Sequence, residues 1–110
     1  MKISENKKGR VLILRVSGRL NCVSSPDLEK RLNELIESGE HNLLVNFSNL
    51  EYISSAGLKV LLEASKELRA KEGKLLICCL SGMVKRVFEI SGFNAILSTY
   101  ENEREALKNI

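Results

Sequence analysis

Tryptophan is absent from this 110-residue chain, proline and histidine each occur once, and aromatic residues make up only 5% of it. A basic stripe interleaved with aromatics, the usual footprint of nucleic-acid binding, therefore has little to be built from. The one basic cluster, Lys7-Lys8-Gly9-Arg10, reads better as the tip of a hairpin, so no direct nucleic-acid partner is expected. A single histidine also leaves a serine nucleophile without an obvious base, because His41 is expected at the start of a strand, on the amino end of a sheet. Cysteine is scarce too. Cys78 and Cys79 adjoin inside an apolar run, Cys22 stands alone, and no C-x-x-C spacing exists; all three read as small buried hydrophobes of a reducing compartment. No apolar run approaches the roughly 20 residues that span a bilayer, and Met1 to Asn6 carries no leader-like stretch, which points to a cytoplasmic protein without membrane insertion. Neither G-x-G-x-x-G nor G-x-x-x-x-G-K-[ST] appears, and the carboxylates lack H-x-x-x-H or D-x-D spacing. No cofactor and no metal are expected.

What remains is an ordinary globular balance, 44% hydrophobic and 28% charged with a net charge of +3 spread over interleaved signs. Residues 1–110 read as a single domain, long enough for one core against one sheet. Ile3 to Lys8 and Arg10 to Ser17 flank Gly9 as a β-hairpin. Ser25-Pro26-Asp27 supplies a helix N-cap, a first-turn proline and a first-turn acid; Leu28, Leu32, Leu35 and Ile36 continue on one helical face up to Gly39. Leu43 to Phe47 and Leu75 to Leu80 are unbroken apolar runs, the signature of strands covered on both faces. Between them a helix is predicted from Ala56 to Lys71, and a third carries Val84, Val87, Phe88 and Ser91 up to Gly92. Ala95 to Ser98 supplies a last strand and a short helix follows from Asn102. The fold class is α/β: a mixed central sheet, hairpin plus parallel strands, flanked by about four helices.

One connector is unlike the rest. Tyr52-Ile53-Ser54-Ser55-Ala56-Gly57-Leu58 joins a strand to the helix that follows it, at the carboxyl end of a parallel strand and at a helix N-terminus, where unpaired N–H groups favour an anion. Two readings stay open from spacing alone: the serines cap the helix, or one of them is the seat of a phosphate. Neither serine has Glu or Gln three residues on, as a capping box would, and Gly57 sacrifices roughly 1 kcal/mol of helix propensity, as though something must approach the backbone there. The segment is not a nucleophile elbow, since Ile53 stands where G-x-S-x-G needs its first glycine; no enzyme is expected.

The stretch from Val45 to Leu58 resembles the signature of STAS domains, specifically of the anti-sigma factor antagonists, in which an apolar strand and short loop lead into D-S-S/T/A-G-L. Gly18-Arg19-Leu20-Asn21 is similar to that family's G-x-L-D, and Ser81 to Phe93 to its S-P-x-V-K-R-x-F-x-x-S-G-L segment, so the likeness runs in order through nearly the whole chain. It implies a binding module whose phosphoacceptor is Ser55, with Ser54 as second choice. The implied partner is an anti-sigma factor that is also a serine kinase: the unmodified antagonist captures it and frees a sigma factor, and a phosphatase resets the switch. The implied contact surface comprises Asn21, Cys22, Val23, Ser24 and Ser25, then Ser54, Ser55, Ala56, Gly57 and Leu58, then Gly82, Met83 and Lys85, on a chain that is monomeric when free. Ser54 and Asn21 each replace an Asp of the family pattern, which removes two local charges. The other role considered is an unmodified STAS scaffold docking a transporter or a stress-signalling complex.

Overall fold

The computed structural model describes residues 1–110. Strands β1 (Lys2–Lys8) and β2 (Val11–Leu20) form the antiparallel hairpin, turning at Gly9, and helix α1 (Ser25–Glu37) follows. Strand β3 (Asn42–Asn46), strand β4 (Leu50–Ile53), helix α2 (Ser55–Ala70), strand β5 (Lys74–Cys78) and helix α3 (Gly82–Ser91) come next. A single turn of 3₁₀ helix (Phe93–Ala95), strand β6 (Ser98–Tyr100) and helix α4 (Glu103–Leu107) complete the order. The sheet runs β1-β2-β3-β5-β6, with β2, β3, β5 and β6 mutually parallel, as the mixed-sheet expectation required.

Covering both faces of the central strands explains their unbroken apolar runs. Leu12, Leu14 and Val16 of β2, with Leu43, Val45 and Ile77, join the larger core under α1, α2 and α3. Val11 and Ile13, with Leu44, Leu76 and Cys78, point the other way and pack with Ala106 of α4. Helix α4 is pinned there by polar bonds. Glu103 accepts from the buried Asn46 at 2.6 Å and pairs with Arg15 at 2.9 Å. On the helical side α1 is clipped to β1, where the Arg31 guanidinium meets both carboxylate oxygens of Glu5 at 2.5 and 2.7 Å.

Three expectations are corrected. β4 was not foreseen: its four residues pair in parallel with the last residues of β2, Gly18 to Leu20, across a bulge at Gly18/Arg19, beyond the stretch that pairs β3. The final strand lies at Ser98–Tyr100 rather than Ala95–Ser98, because Gly92 ends α3 in the left-handed conformation (φ 78°) and the chain then spends Phe93–Ala95 on a 3₁₀ turn. Cys22 is exposed, not a buried hydrophobe, whereas Cys78 is buried and Cys79 half-buried.

Gly57 shows why the β4 to α2 junction is so tightly drawn. A Cβ placed there would stand 2.9 Å from Ile53 Cγ1 and 2.9 Å from Leu20 Cγ, two side chains that are themselves buried. The visitor that the sequence seemed to make room for is therefore the protein's own β2 and β4. Gly57→Ala is expected to lower stability by about 1–2 kcal/mol, overpacking outweighing the gain in helix propensity, read as a lower urea midpoint with unchanged slope.

The Glu5–Arg31 clip makes a pH prediction. The hydrogen bond from Arg31, offset in part by desolvation, holds the Glu5 carboxyl below its usual range. A carboxyl that is more acidic folded than unfolded contributes stability above its unfolded value of about 4.3, and that contribution is lost as pH falls through the lowered folded value. Both groups keep contact with solvent, so the contribution is at most about 1 kcal/mol. The stability gap between the wild type and Glu5→Gln should be widest near neutral pH and close as the solution is acidified past that range, in urea titrations compared at each pH.

Candidate functional site

The parallel strands deliver three connections to one end of the sheet: β2 to α1, β4 to α2 and β5 to α3. The first two are fastened together. Ser54 N donates to Leu20 O at 2.9 Å, so the chain leaving β4 lies against the chain leaving β2, and Gly57 wedges between Leu20 and Ile53 directly behind it. Helix α3 packs on β4, which brings Gly82, Met83 and Lys85 to the same end of the sheet; no hydrogen bond or ion pair ties them to the other two segments.

At the head of α2 the two serines part company. Ser54 is extended (φ −97°, ψ 173°) and is the N-cap, its Oγ accepting from Gly57 N at a long 3.4 Å while its carbonyl accepts from Leu58 N at 3.0 Å. Ser55 is the first helical residue. It is exposed and its Oγ bonds to nothing in the chain, and the N–H groups of Ser55 and Ala56 also have no acceptor. No acidic residue occupies the first turn of α2, so the positive end of the helix dipole is uncompensated at the point where this hydroxyl projects.

The β2 to α1 connection is organised by Asn21. Its Oδ1 accepts from Val23 N and Ser24 N, each at 3.0 Å, and its carbonyl accepts from Ser25 N and from Ser25 Oγ. Ser24 Oγ accepts from Asn21 N at 3.0 Å and donates to Arg19 O at 2.7 Å. Ser25 is thus not the cap expected of it. It is the first residue of α1, 2% exposed, with its hydroxyl spent on Asn21 O.

Of the anticipated contact residues, Cys22, Val23, Ser55, Gly82, Met83 and Lys85 are exposed and Asn21, Ser24, Ser54 and Ala56 half-buried. Ser25, Gly57 and Leu58 are buried, and Leu58 belongs to the core. Val23 and Met83 stand out as apolar side chains 81% and 52% exposed. One neighbour escaped notice in the sequence. Arg19 stacks its guanidinium 4.4 Å from the centre of the Tyr52 ring, next to the junction of β2 and β4. The signal was hidden because that pairing depends on β4, too short and too polar in its middle to be read as a strand.

Acid–base machinery does not gather at Ser55. His41 precedes β3 at the opposite end of the sheet, its carbonyl accepting from Lys74 N at 2.8 Å, and no three His, Cys, Asp or Glu side chains come together as a metal site. No helix is long and apolar enough to cross a membrane.

Comparison with known proteins bears directly on this arrangement. Residues 2–106 match the model of the STAS domain. The chain is 40% identical over 106 residues to a Bordetella bronchiseptica protein that carries the name anti-sigma factor antagonist BtrV, covering 96% of this chain and 90% of that one. It is 31% identical over 107 residues to the anti-sigma F factor antagonist of Paenibacillus polymyxa, covering 96% and 91%. Among solved structures, an anti-sigma factor antagonist from Thermotoga maritima superposes with a TM-score of 0.92 at 21% identity, covering 98% of this chain and 93% of that one. The antagonist SpoIIAA in its unphosphorylated form superposes at 0.82 with 23% identity, covering 98% and 95%. A family match along nearly the whole length, with relatives at 40% and 31% identity, places this chain in the STAS domain family.

Proposed function

We propose that this chain is an anti-sigma factor antagonist: a partner-switching module that captures an anti-sigma factor through the end of the sheet where α2 begins, and that is released by phosphorylation of Ser55. The observation that carries the reading is the contrast between the two serines. Ser54 spends its oxygen on the cap, whereas Ser55 offers a free, exposed hydroxyl at the positive end of a helix. The names of the relatives support the partner, and SpoIIAA, of the same fold, is known in a phosphorylated form as well. The partner is an anti-sigma factor with serine kinase activity, and a phosphatase resets the switch.

The physics of the switch follows from where Ser55 sits. A phosphate adds nearly two negative charges. Within the free protein they would be well placed, beside the unpaired N–H groups of Ser55 and Ala56 and with no acid in the first turn. Inside a packed interface the same charges would have to be desolvated against a partner shaped for a neutral hydroxyl, on an end of the sheet that also exposes the apolar Val23 and Met83. Modification therefore leaves the fold intact and costs the complex, at about 3 kcal/mol more than a hundredfold in affinity.

Asn21 and Ser54 replace carboxylates of the family pattern and still accept backbone N–H bonds, Asn21 from Val23 and Ser24 and Ser54 from Gly57, because an amide or hydroxyl oxygen is an acceptor as well. What changes is charge. The resting surface is neutral at both positions, with Arg19 and Lys85 exposed nearby, so the kinase that matches it needs fewer cations than one that reads two aspartates.

Incubation with a cognate anti-sigma kinase and ATP should label the wild type and Ser54→Ala at Ser55, located by mass spectrometry, and leave Ser55→Ala unlabelled. Ser55→Asp should fold normally and bind the kinase at least roughly tenfold more weakly by calorimetry, a carboxylate carrying half the charge of a phosphate. Full labelling of Ser55→Ala contradicts the assignment and moves the acceptor to another residue, Ser54 first; an unlabelled wild type, or equal affinity of both forms, leaves an unmodified scaffold as the reading.

A further inference from the structure

Two cysteines that the switch does not use lie where β5 ends. In a strand successive side chains point to opposite faces, so adjacent cysteines ordinarily hold their sulfurs apart. Here they meet. Cys78 is the last residue of β5, and Cys79 leaves the strand with φ 68°, a left-handed conformation that few non-glycine residues adopt. The two Sγ atoms come to 3.1 Å, closer than the usual 3.5–4.0 Å of even a carbon–carbon contact. The neighbouring backbone holds this conformation: Cys79 N donates to Tyr100 O and Cys78 O accepts from Phe47 N, both at 3.1 Å.

Their surroundings divide the labour. Cys78 is fully buried among Val11, Ile13, Leu44, Leu76 and Ala106, and burial pushes its thiol well above the usual range, so it remains protonated. Cys79 is half-buried, packed with Tyr100 against the same small core, and is the less buried residue of the pair.

We propose that Cys78 and Cys79 form a thiol pair that hydroperoxides oxidise to a disulfide between adjacent residues. The Cys79 thiolate attacks the outer oxygen of the hydroperoxide, the O–O bond breaks, and the departing alkoxide or hydroxide takes up a proton, leaving Cys79 as a sulfenic acid. The Cys78 sulfur then attacks the Cys79 sulfur, the S–O bond breaks, and hydroxide leaves as water with the proton from Cys78. The two thiols lose two electrons and the peroxide gains them. With Sγ already at 3.1 Å the second step needs almost no search, the Cys78 proton passing to the leaving hydroxide as the S–S bond forms. The resulting disulfide is readily reversed, since Cα atoms joined by one trans peptide are about 3.8 Å apart, below the 4.4 Å where unstrained bridges begin. This inference stands apart from the antagonist reading, because it concerns no partner and leaves Ser55 untouched.

The test uses the full chain with Cys22→Ser, which removes the exposed third thiol. After hydrogen peroxide and then iodoacetamide, the peptide holding residues 78 and 79 should be unalkylated and lighter by two hydrogens, and dithiothreitol should restore both alkylation sites. In guanidinium the closure should slow by on the order of tenfold or more, because an unfolded chain seldom visits the conformation that the fold imposes on Cys79. With Cys78→Ser added, the reaction should stop at a sulfenic acid on Cys79 that dimedone captures. Sulfinic acid on Cys79 beside a freely alkylated Cys78, disulfides between chains, or equal rates folded and unfolded would each overturn the proposal.

Discussion

The head of α2 can sit where it does only because position 57 has no side chain. With Leu20 and Ile53 each 2.9 Å from the place a Cβ would take, helix α2 starts in contact with the ends of β2 and β4, and the direction of its first turn follows from that contact. Once Gly57 faces inward and Ser54 bonds Leu20 O, Ser55 has nowhere to point but outward. The exposed hydroxyl is thus a consequence of core packing on the opposite side of the same helical turn. A change in the core at Leu20 or Ile53 would reach the site without touching it.

This packing also explains what could and could not be read in advance. Leu28, Leu32, Leu35 and Ile36 repeat with the helical period, and Leu43–Phe47 has the continuous apolar character of a strand covered on both sides, so α1, β3 and the parallel arrangement were legible. Strand β4 was not, because Leu50-Glu51-Tyr52-Ile53 is short, carries a charge, and exists only by pairing with β2 beyond a bulge. In Ala95-Ile96-Leu97 only Leu97 is buried, so apolar composition there described a turn rather than a strand. At the site, the sequence located the junction and the glycine but not whose atoms press upon it, since that depends on two strands meeting in space. The same limit hid the exposure of Cys22 and the inward turn of Ser25, both set by the bonds that Asn21 makes to its own loop.

Neutral residues at positions 21 and 54 separate two jobs that a carboxylate performs together. Accepting backbone N–H bonds at a turn or a cap needs an oxygen; recognition at a distance needs a charge. Asn21 and Ser54 keep the first and give up the second, which preserves the local fold while altering what the surface presents. Related modules in one cell could in this way share a scaffold and still be told apart by their partners.

The central claim is that partner capture occurs at the end of the sheet where α2 begins. Amide hydrogen exchange of the unmodified protein, free and saturated with its anti-sigma factor, tests it most directly. Slowed exchange should concentrate at residues 21–24, at the unpaired N–H groups of Ser55 and Ala56, and at 82–85, with no change around α4. Protection confined to β1 and α4, with the head of α2 exchanging as freely as before, would contradict the account.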